Sequence, residues 1–248
     1  MSKLNFIYPQ WPAPSNVRAL STTRVGGVSA PPFDSLNLAQ HVNDRDDHVS
    51  ANRQRLMQHA KLPSQPRWLN QTHSTNVVEI DSVTGSTHDD PIDADATVTG
   101  DTNVVCSVLT ADCLPILFTN QAGSRVAAIH AGWRGLANGI LETAIAAMHC
   151  PSEQIIAWAG PCIGSTAFEV GLEVQEQLGG PASAYQNAGK NKVYADLVQL
   201  AQCRLYDQGV VNFSASGACT YVNETDFFSY RRNGESGRMA TLVWIESL

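Results

Sequence analysis

The sequence predicts an α/β (α+β) fold, a single layered domain over residues 1–248 in which a mixed sheet is flanked by helices. Short apolar runs of strand length alternate with segments whose apolar residues recur at helical spacing. The chain is 43% hydrophobic and 16% charged, which is enough apolar material for a large core. No repeat, low-complexity tract or linker divides it, so one domain is the simplest organisation.

In the first half of the chain, turns, one helix and several short strands follow one another. Residues 15–45 are rich in turn formers and predict loops, and residues 45–62 predict a helix that ends before Pro63. A polar loop is predicted over 84–95. Its acidic residues with His88 could bind a hard cation, but calcium sites need a tighter oxygen-ligand pattern, so a solvated loop is favoured. Strands are predicted over 76–80, 96–99, 104–109 and 114–118.

The second half predicts strands joined by helices. Gly132 to Gly135 is interpreted as a strand-to-helix turn, because apolar residues at helical spacing follow it as far as Met148. The remaining predicted strands cover 125–129, 155–159, 212–214 and 239–245, and the remaining predicted helices cover 171–178 and 196–208.

Charge and composition narrow the function classes. The net charge of −7 argues against nucleic-acid or anionic-membrane partners, which need a basic surface. The N-terminal segment lacks the apolar core of a secretory signal, and no apolar run reaches the length of a membrane span. The six cysteines include no Cys-x-x-Cys pair. A cytoplasmic protein with a small-molecule partner is therefore expected.

Three residues stand where apolar runs end: His73, Cys113 and His130. Two imidazoles and a thiolate suit zinc, and three protein ligands leave the fourth position open, as in catalytic sites. Each residue also has an ordinary interpretation, a hydrogen-bonded histidine or a small buried thiol. Their spacings match no zinc-finger pattern, so the metal site depends on the strand ends converging. The same three residues would also serve a cysteine hydrolase with Cys113 as nucleophile.

Several arginines are candidates for binding an anionic substrate. Arg134 lies in the turn that opens a helix, and Arg24 precedes Gly26-Gly27 in the turn-rich segment. A surface position is the alternative for both. Arg231, Arg232 and Arg238 form a basic spot for which dimer contacts or salt bridges compete with substrate binding.

Common catalytic signatures are missing from the sequence. It contains no Gly-x-Gly-x-x-Gly, no Walker phosphate loop, no Gly-x-Ser-x-Gly and no His-Glu-x-x-His. The zinc-deaminase pair of motifs is also lacking, so any deamination would use a different arrangement of residues.

Five motifs together resemble the laccase-domain (YfiH-like) family, and its enterobacterial members in particular. They are Thr22-Thr23-Arg24-x-Gly26-Gly27-Val28-Ser29, Thr110-Ala111-Asp112-Cys113-Leu114-Pro115, His130-Ala131-Gly132-Trp133-Arg134-Gly135, Gly160-Pro161-Cys162-Ile163-Gly164 and Phe228-Ser229-Tyr230-Arg231-Arg232. The resemblance spans nearly the whole chain. It places the family's metal ligands on His73, Cys113 and His130.

The resemblance implies an enzyme with zinc, or alternatively copper, in a cleft. The implied activity is purine nucleoside phosphorolysis of adenosine, inosine and methylthioadenosine, with adenosine deamination as a second activity. An amidase that edits muramoyl-serine peptidoglycan precursors and a single-copper polyphenol oxidase are the alternatives. A purine nucleoside and phosphate are the expected partners, and the protein is expected to be a monomer or homodimer.

Overall fold

The computed structural model describes residues 4–82 and 91–247, and its strands form two principal sheets that pack face to face. The strands are β1 (Phe6–Ile7), β2 (Val17–Thr22), β3 (Leu69–Asn70), β4 (Val77–Glu79), β5 (Ile92–Asp93), β6 (Ala96–Thr99), β7 (Cys106–Thr110), β8 (Leu114–Asn120), β9 (Val126–Ala131), β10 (Ile155–Ala159), β11 (Glu169–Gly171), β12 (Tyr185–Gly189), β13 (Lys192–Ala195), β14 (Asn212–Ala215) and β15 (Met239–Ile245). The helices are α1 (Asp46–Ala60), α2 (Trp133–Asn138), α3 (Ile140–Ala147), α4 (Leu172–Leu178), α5 (Leu197–Asp207) and α6 (Tyr230–Asn233).

The larger sheet has six strands in the order β14-β10-β8-β9-β6-β4. It is mixed, because β4 pairs with β6 and β10 with β14 in parallel while the other neighbours are antiparallel. The second sheet has the order β1-β2-β15-β7 and is antiparallel throughout. Two small sheets, β11-β13-β12 and β3-β5, complete the pairing among the described residues.

Alternation along the strands builds the core in layers. On β9, Ala127 and Ile129 face the layer that holds α3 and α5, while Val126 and Ala128 face the layer between the two sheets. His130 continues the second set, so its side chain lies on the face toward the four-stranded sheet. Helix α1 covers the outer face of that sheet through Leu56. His130 therefore lies near the end of β7, and Cys113 follows β7 in the sequence.

The α/β fold class is confirmed, and most predicted elements are present. The helix predicted from 45 to 62 is α1, and the predicted strands of residues 76–131 are β4 and β6 to β9. The single helix expected up to Met148 is instead two, because Gly139 adopts a left-handed φ of 99° that ends α2 and precedes α3.

Two expectations about the sheets are corrected. The strand β2 lies within residues 15–45, which were expected to be loops, and β15 joins β2 and β7 in a second sheet instead of closing a single one. Turn formers dominate the composition around β2, while the strand owes its stability to pairing with β15, more than 200 residues away. Most of the predicted polar loop, including His88, lies outside the described residues.

No helix in the described part of the chain combines the length and the apolar character needed to cross a bilayer.

Candidate metal centre and its cavity

The structure brings His73, Cys113 and His130 together at one end of the two sheets. Their ligand atoms all lie within 4.8 Å of one another, and Cys113 Sγ is 3.8 Å from His73 Nε2. The two imidazole rings stand edge to face, with centroids 4.8 Å apart. His73 follows β3, Cys113 lies in the turn between β7 and β8, and His130 is in β9. His73 is exposed, Cys113 is half-buried and His130 is buried.

The buried carboxylate of Asp95 holds both histidines. Its Oδ1 accepts from His130 Nδ1 at 2.7 Å and from the His73 backbone N–H at 3.0 Å. Its Oδ2 accepts from the backbone N–H and hydroxyl of Ser74 at 2.6 and 2.8 Å, and from the Thr72 N–H at 3.2 Å. These bonds fix the His73 loop, in which His73 itself has a φ of 59°. Asp95 therefore positions one histidine by its ring and the other by its backbone.

The environment keeps Asp95 ionised. Burial alone would raise the pKa of this carboxyl, but the hydrogen bonds from His130 and Ser74 lower it to about 2. An ionised carboxylate can only accept, so His130 Nδ1 carries a proton, and Nε2, on the side of Cys113, is the nitrogen available to a metal once it is deprotonated. The solvated loop expected at Asp95 is therefore wrong, because this carboxylate is fully buried and satisfied by protein donors.

Cys113 and His130 shift each other's charge state. Burial alone would raise the pKa of the Cys113 thiol, but His130 and then His73 lower it to about 6. Burial alone would lower the pKa of His130, whereas Cys113 and Asp95 raise it. The thiol is thus ready to lose its proton, which metal ligation requires.

Gly132 leaves the space in which the three side chains meet. A Cβ atom at this position would lie 2.8 Å from His73 Cδ2, 3.3 Å from Cys113 Sγ and 3.4 Å from His130 Cε1. Its φ of −60° and ψ of 155° are open to any residue, so space alone requires glycine here. A donor set of two imidazoles and one thiolate, packed closely and backed by a carboxylate, fits a metal ion such as zinc.

Asp112 secures the turn that carries Cys113. Its φ is 92°, and its carboxylate accepts from Thr220 Oγ1 at 2.6 Å, Ser229 Oγ at 3.0 Å and the Arg231 backbone N–H at 2.7 Å. Both oxygens of this carboxylate therefore accept from protein donors. The turn is thereby tied to the beginning of α6, more than 100 residues further along the chain.

A cavity of about 550 Å³ opens over the three residues, a size typical of small-molecule sites. Arg134 lines it and is exposed, with its guanidinium stacked over the Trp133 ring at 4.3 Å from the centroid. Further aromatic walls come from Phe168 and Tyr230. His41, which no sequence motif indicates, also lines this cavity.

Arg24, the other arginine expected to bind substrate, does not line this cavity. Its guanidinium donates to the Asp34 carbonyl at 2.8 Å, pairs with the Asp34 carboxylate at 3.1 Å and donates to the Glu224 carbonyl at 3.3 Å. It also stacks over Phe228. Its contacts fasten the segment around residue 34 to the segment around residue 226, so the geometry gives Arg24 a packing role.

The three arginines of the basic spot near the C-terminus have two different roles, cavity lining and packing. Arg231 and Arg238 line the cavity, whereas Arg232 donates to the carbonyls of Thr220, Tyr221 and Phe227. The sequence indicates this basic spot through the Ser229-Tyr230-Arg231-Arg232 motif and the nearby Arg238. It could not show which arginine faces the cavity.

A family model described as "Multi-copper polyphenol oxidoreductase laccase" matches residues 18–246. Curated relatives cover nearly all of the chain. Proteins from Shigella flexneri and Escherichia coli, both named "Purine nucleoside phosphorylase YfiH", are 48% identical over 99% of this chain and 100% of their own length. A purine nucleoside phosphorylase from Pseudomonas aeruginosa is 44% identical over 97% of this chain and 98% of its own.

Solved structures share the fold. A Neisseria meningitidis protein superposes with a TM-score of 0.91 at 44% identity, covering 98% of this chain and 100% of that one. The protein YlmD from Geobacillus stearothermophilus superposes with a TM-score of 0.87 at 28% identity, covering 98% and 100%. The architecture described above is thus common to these proteins.

Proposed function

Because the chain belongs to the multi-copper polyphenol oxidoreductase laccase family, with full-length relatives named purine nucleoside phosphorylase, we propose that it is a zinc-dependent purine nucleoside phosphorylase. The proposed substrates are adenosine, inosine and methylthioadenosine, with adenosine deamination as a second activity. The observation that carries the proposal is the His73–Cys113–His130 cluster in a cavity lined by aromatic and cationic side chains.

The three residues have distinct tasks in holding the ion. His130 presents Nε2 because Asp95 holds the proton on Nδ1, and Cys113 supplies the thiolate. His73 completes the set from its loop. When bound, zinc supplies a Lewis-acidic positive charge. Copper is the alternative ion for the same donors.

The cavity walls suit a nucleoside. The rings of Trp133, Phe168 and Tyr230 offer flat apolar faces to a purine, and Arg134 offers charge-assisted hydrogen bonds to an anion. A guanidinium stacked on an indole keeps its plane fixed while its donors stay free to bind. Arg134 is therefore the proposed substrate contact, and Arg24 is not.

A second candidate is the amidase acting on a muramoyl-serine precursor. The observation that favours it is the Cys113 thiol with its lowered pKa, 3.8 Å from the His73 imidazole, the pairing that a cysteine nucleophile uses. Multi-copper oxidation is not proposed. Reducing oxygen by four electrons uses several coppers, and the described residues contain one group of three placed to hold a metal.

The test incubates zinc-loaded protein with adenosine, inosine, methylthioadenosine and the muramoyl-serine precursor, each with and without phosphate, and follows products by chromatography. Free purine base is expected only with phosphate, and inosine from adenosine without it. A strong chelator should abolish the activity and zinc should restore it. Cleavage of the muramoyl amide alone would overturn the phosphorylase proposal, and activity that survives complete metal removal would favour a thiol hydrolase.

We further propose the organisation inferred from the sequence: one domain, a cytoplasmic location, and a monomer or homodimer without nucleic-acid or membrane partners. The supporting observations are the net charge of −7 and a family match that runs continuously over residues 18–246.

A further inference from the structure

Most arginines outside the cavity, though not all, pair with a carboxylate, whereas the described residues provide no ion pair for the three arginines that line it. Six arginines outside the cavity pair with an aspartate or glutamate: Arg18, Arg24, Arg45, Arg125, Arg204 and Arg232. Arg134, Arg231 and Arg238 have no carboxylate partner within the described ranges. The carboxylate of Asp112 also lines the cavity and acts electrostatically on Arg238, but it accepts from a backbone N–H of Arg231 and not from a guanidinium. Three guanidinium groups therefore face the cavity without a direct ion pair among the described residues.

Aromatic rings hold these three side chains in place. The Arg134 guanidinium lies 4.3 Å from the Trp133 ring centroid, Arg231 lies 5.3 Å from Phe168, and Arg238 lies 5.8 Å from Tyr230. A ring face orients a guanidinium without neutralising its charge, as a carboxylate would. The packing thus fixes three cations and leaves them available to an outside anion.

Arg231 and Arg238 are the more strongly held pair. Arg231 Nη1 donates to the Glu169 carbonyl at 2.8 Å, and Arg238 Nη1 donates to the carbonyls of Ser236 at 2.7 Å and Gly237 at 3.1 Å. Each guanidinium keeps Nε and Nη2 for other acceptors. Burial lowers the pKa of Arg238, while the nearby Cys113 and Asp112 act in the opposite direction.

We propose that Arg231 and Arg238, together with Arg134, form a subsite for a tetrahedral phosphate-type oxyanion. The inference rests on the proposed function, in which that oxyanion is inorganic phosphate. A phosphate oxygen forms the bond to C1′ of the ribose while the C1′–N9 bond breaks and its electron pair leaves with the purine. The proton that phosphate loses balances the one that the base gains, so ribose 1-phosphate and free base result.

Asp112 links this subsite to the metal ligands. It directly precedes Cys113, and the same carboxylate accepts from Ser229 Oγ and the Arg231 N–H. The oxyanion subsite and the Cys113 turn therefore share one anchor, which keeps the arginines at a fixed distance from the three ligands. Asp112 is a positioning residue in this arrangement, since its oxygens are all occupied by protein donors.

The test measures phosphate binding by calorimetry on the zinc-loaded protein, for wild type and for Arg231→Met, Arg238→Met and Arg134→Met. Arg18→Met is the matched control, because Arg18 pairs with Glu246 at the sheet edge, away from the cavity. Losing a charge-assisted contact should weaken phosphate binding about 10- to 100-fold in the first two variants. The Kd of the Arg18→Met control for phosphate should stay within about twofold of the wild-type value. Arg231→Lys and Arg238→Lys serve where a methionine variant fails to fold.

Adenosine and adenosine 5′-monophosphate separate the two sources of the oxyanion. If the subsite holds the phosphate of a nucleotide, the monophosphate binds more tightly than adenosine and loses that advantage in both variants, while free phosphate binding stays unchanged. That result would overturn the assignment to inorganic phosphate. Unchanged Kd and KM for phosphate in both variants, with phosphorolysis intact, would overturn the subsite itself. Weakened phosphate binding in a protein that releases no base from any nucleoside would uphold the subsite and refute the proposed function.

Discussion

Replacing Asp95 with asparagine should weaken metal binding more than any change that leaves the three ligands in place. The carboxylate accepts from His130 and His73 on one oxygen and from Ser74 and Thr72 on the other. An asparagine keeps one oxygen that accepts, and its NH2 group must face either the His130 and His73 donors or the Ser74 and Thr72 donors. If the NH2 group faces His130, the proton moves to Nε2 and that nitrogen can no longer bind a metal.

The expected magnitude follows from these bonds. Loss of the half-buried hydrogen bond from the His73 N–H costs about 0.5 to 1.5 kcal/mol of unfolding free energy. Loss of a carboxylate behind a metal-binding histidine lowers metal affinity about 10- to 100-fold. Chelator competition with zinc measures the affinity, and chemical denaturation measures the stability.

The matched control is Asp93→Asn, because Asp93 is exposed and its carboxylate accepts only from Asn70 and not from either histidine loop among the described contacts. Its zinc affinity should stay at the wild-type value. A zinc affinity in Asp95→Asn that equals both wild type and the control would refute the reasoning that Asp95 positions the histidines.

Three further results are expected. Gly132→Ala should weaken zinc binding at least about tenfold, because the new Cβ would lie 2.8 Å from the His73 ring. Chelator competition measures the affinity, and circular dichroism should show little change in fold. A wild-type affinity would show that the His73 ring can move aside freely. In metal-free protein, iodoacetamide should label Cys113 first, at a rate that rises as the pH passes about 6. Cys106 should stay unlabelled, because burial raises its pKa to about 12. Peptide mass spectrometry with and without zinc measures the labelling of both thiols, and equal labelling would contradict the prediction. Arg24→Met should cost about 1 to 3 kcal/mol of unfolding free energy and leave the KM for phosphate unchanged, whereas a raised KM with normal stability would return Arg24 to the substrate site.

The three candidate ligands could be selected from the sequence because their signal is local. Cys113 follows the apolar run of β7 and His130 lies near the end of the apolar strand β9, whereas His73 follows only the two-residue strand β3. The strand β8, which follows Cys113, and the strand β9, which contains His130, are predicted within a few residues for the same reason.

Asp95 could not be selected, because its role depends on distant donors. It lies in an acidic, polar stretch that is typical of a solvated loop, and its burial follows from the amides of residues 72–74 and the ring of His130. The roles of Arg24, Arg231 and Arg238 were equally non-local. A guanidinium next to a turn can pair with a carboxylate or face a cavity, and only tertiary packing decides between the two.

The Asp95 network also determines how an ion would enter and leave. His130 lies in a central strand and Cys113 lies in the turn between β7 and β8, which belong to the two principal sheets, whereas His73 is exposed on a loop. Exchange should therefore start with the departure of His73, and that motion breaks backbone hydrogen bonds to Asp95 at 2.6 to 3.2 Å. The ligands are preorganised by the fold, so little ordering entropy remains to be lost when the ion binds. Release of the ion should therefore be slow and thermally activated, with a rate that depends on the opening of the His73 loop.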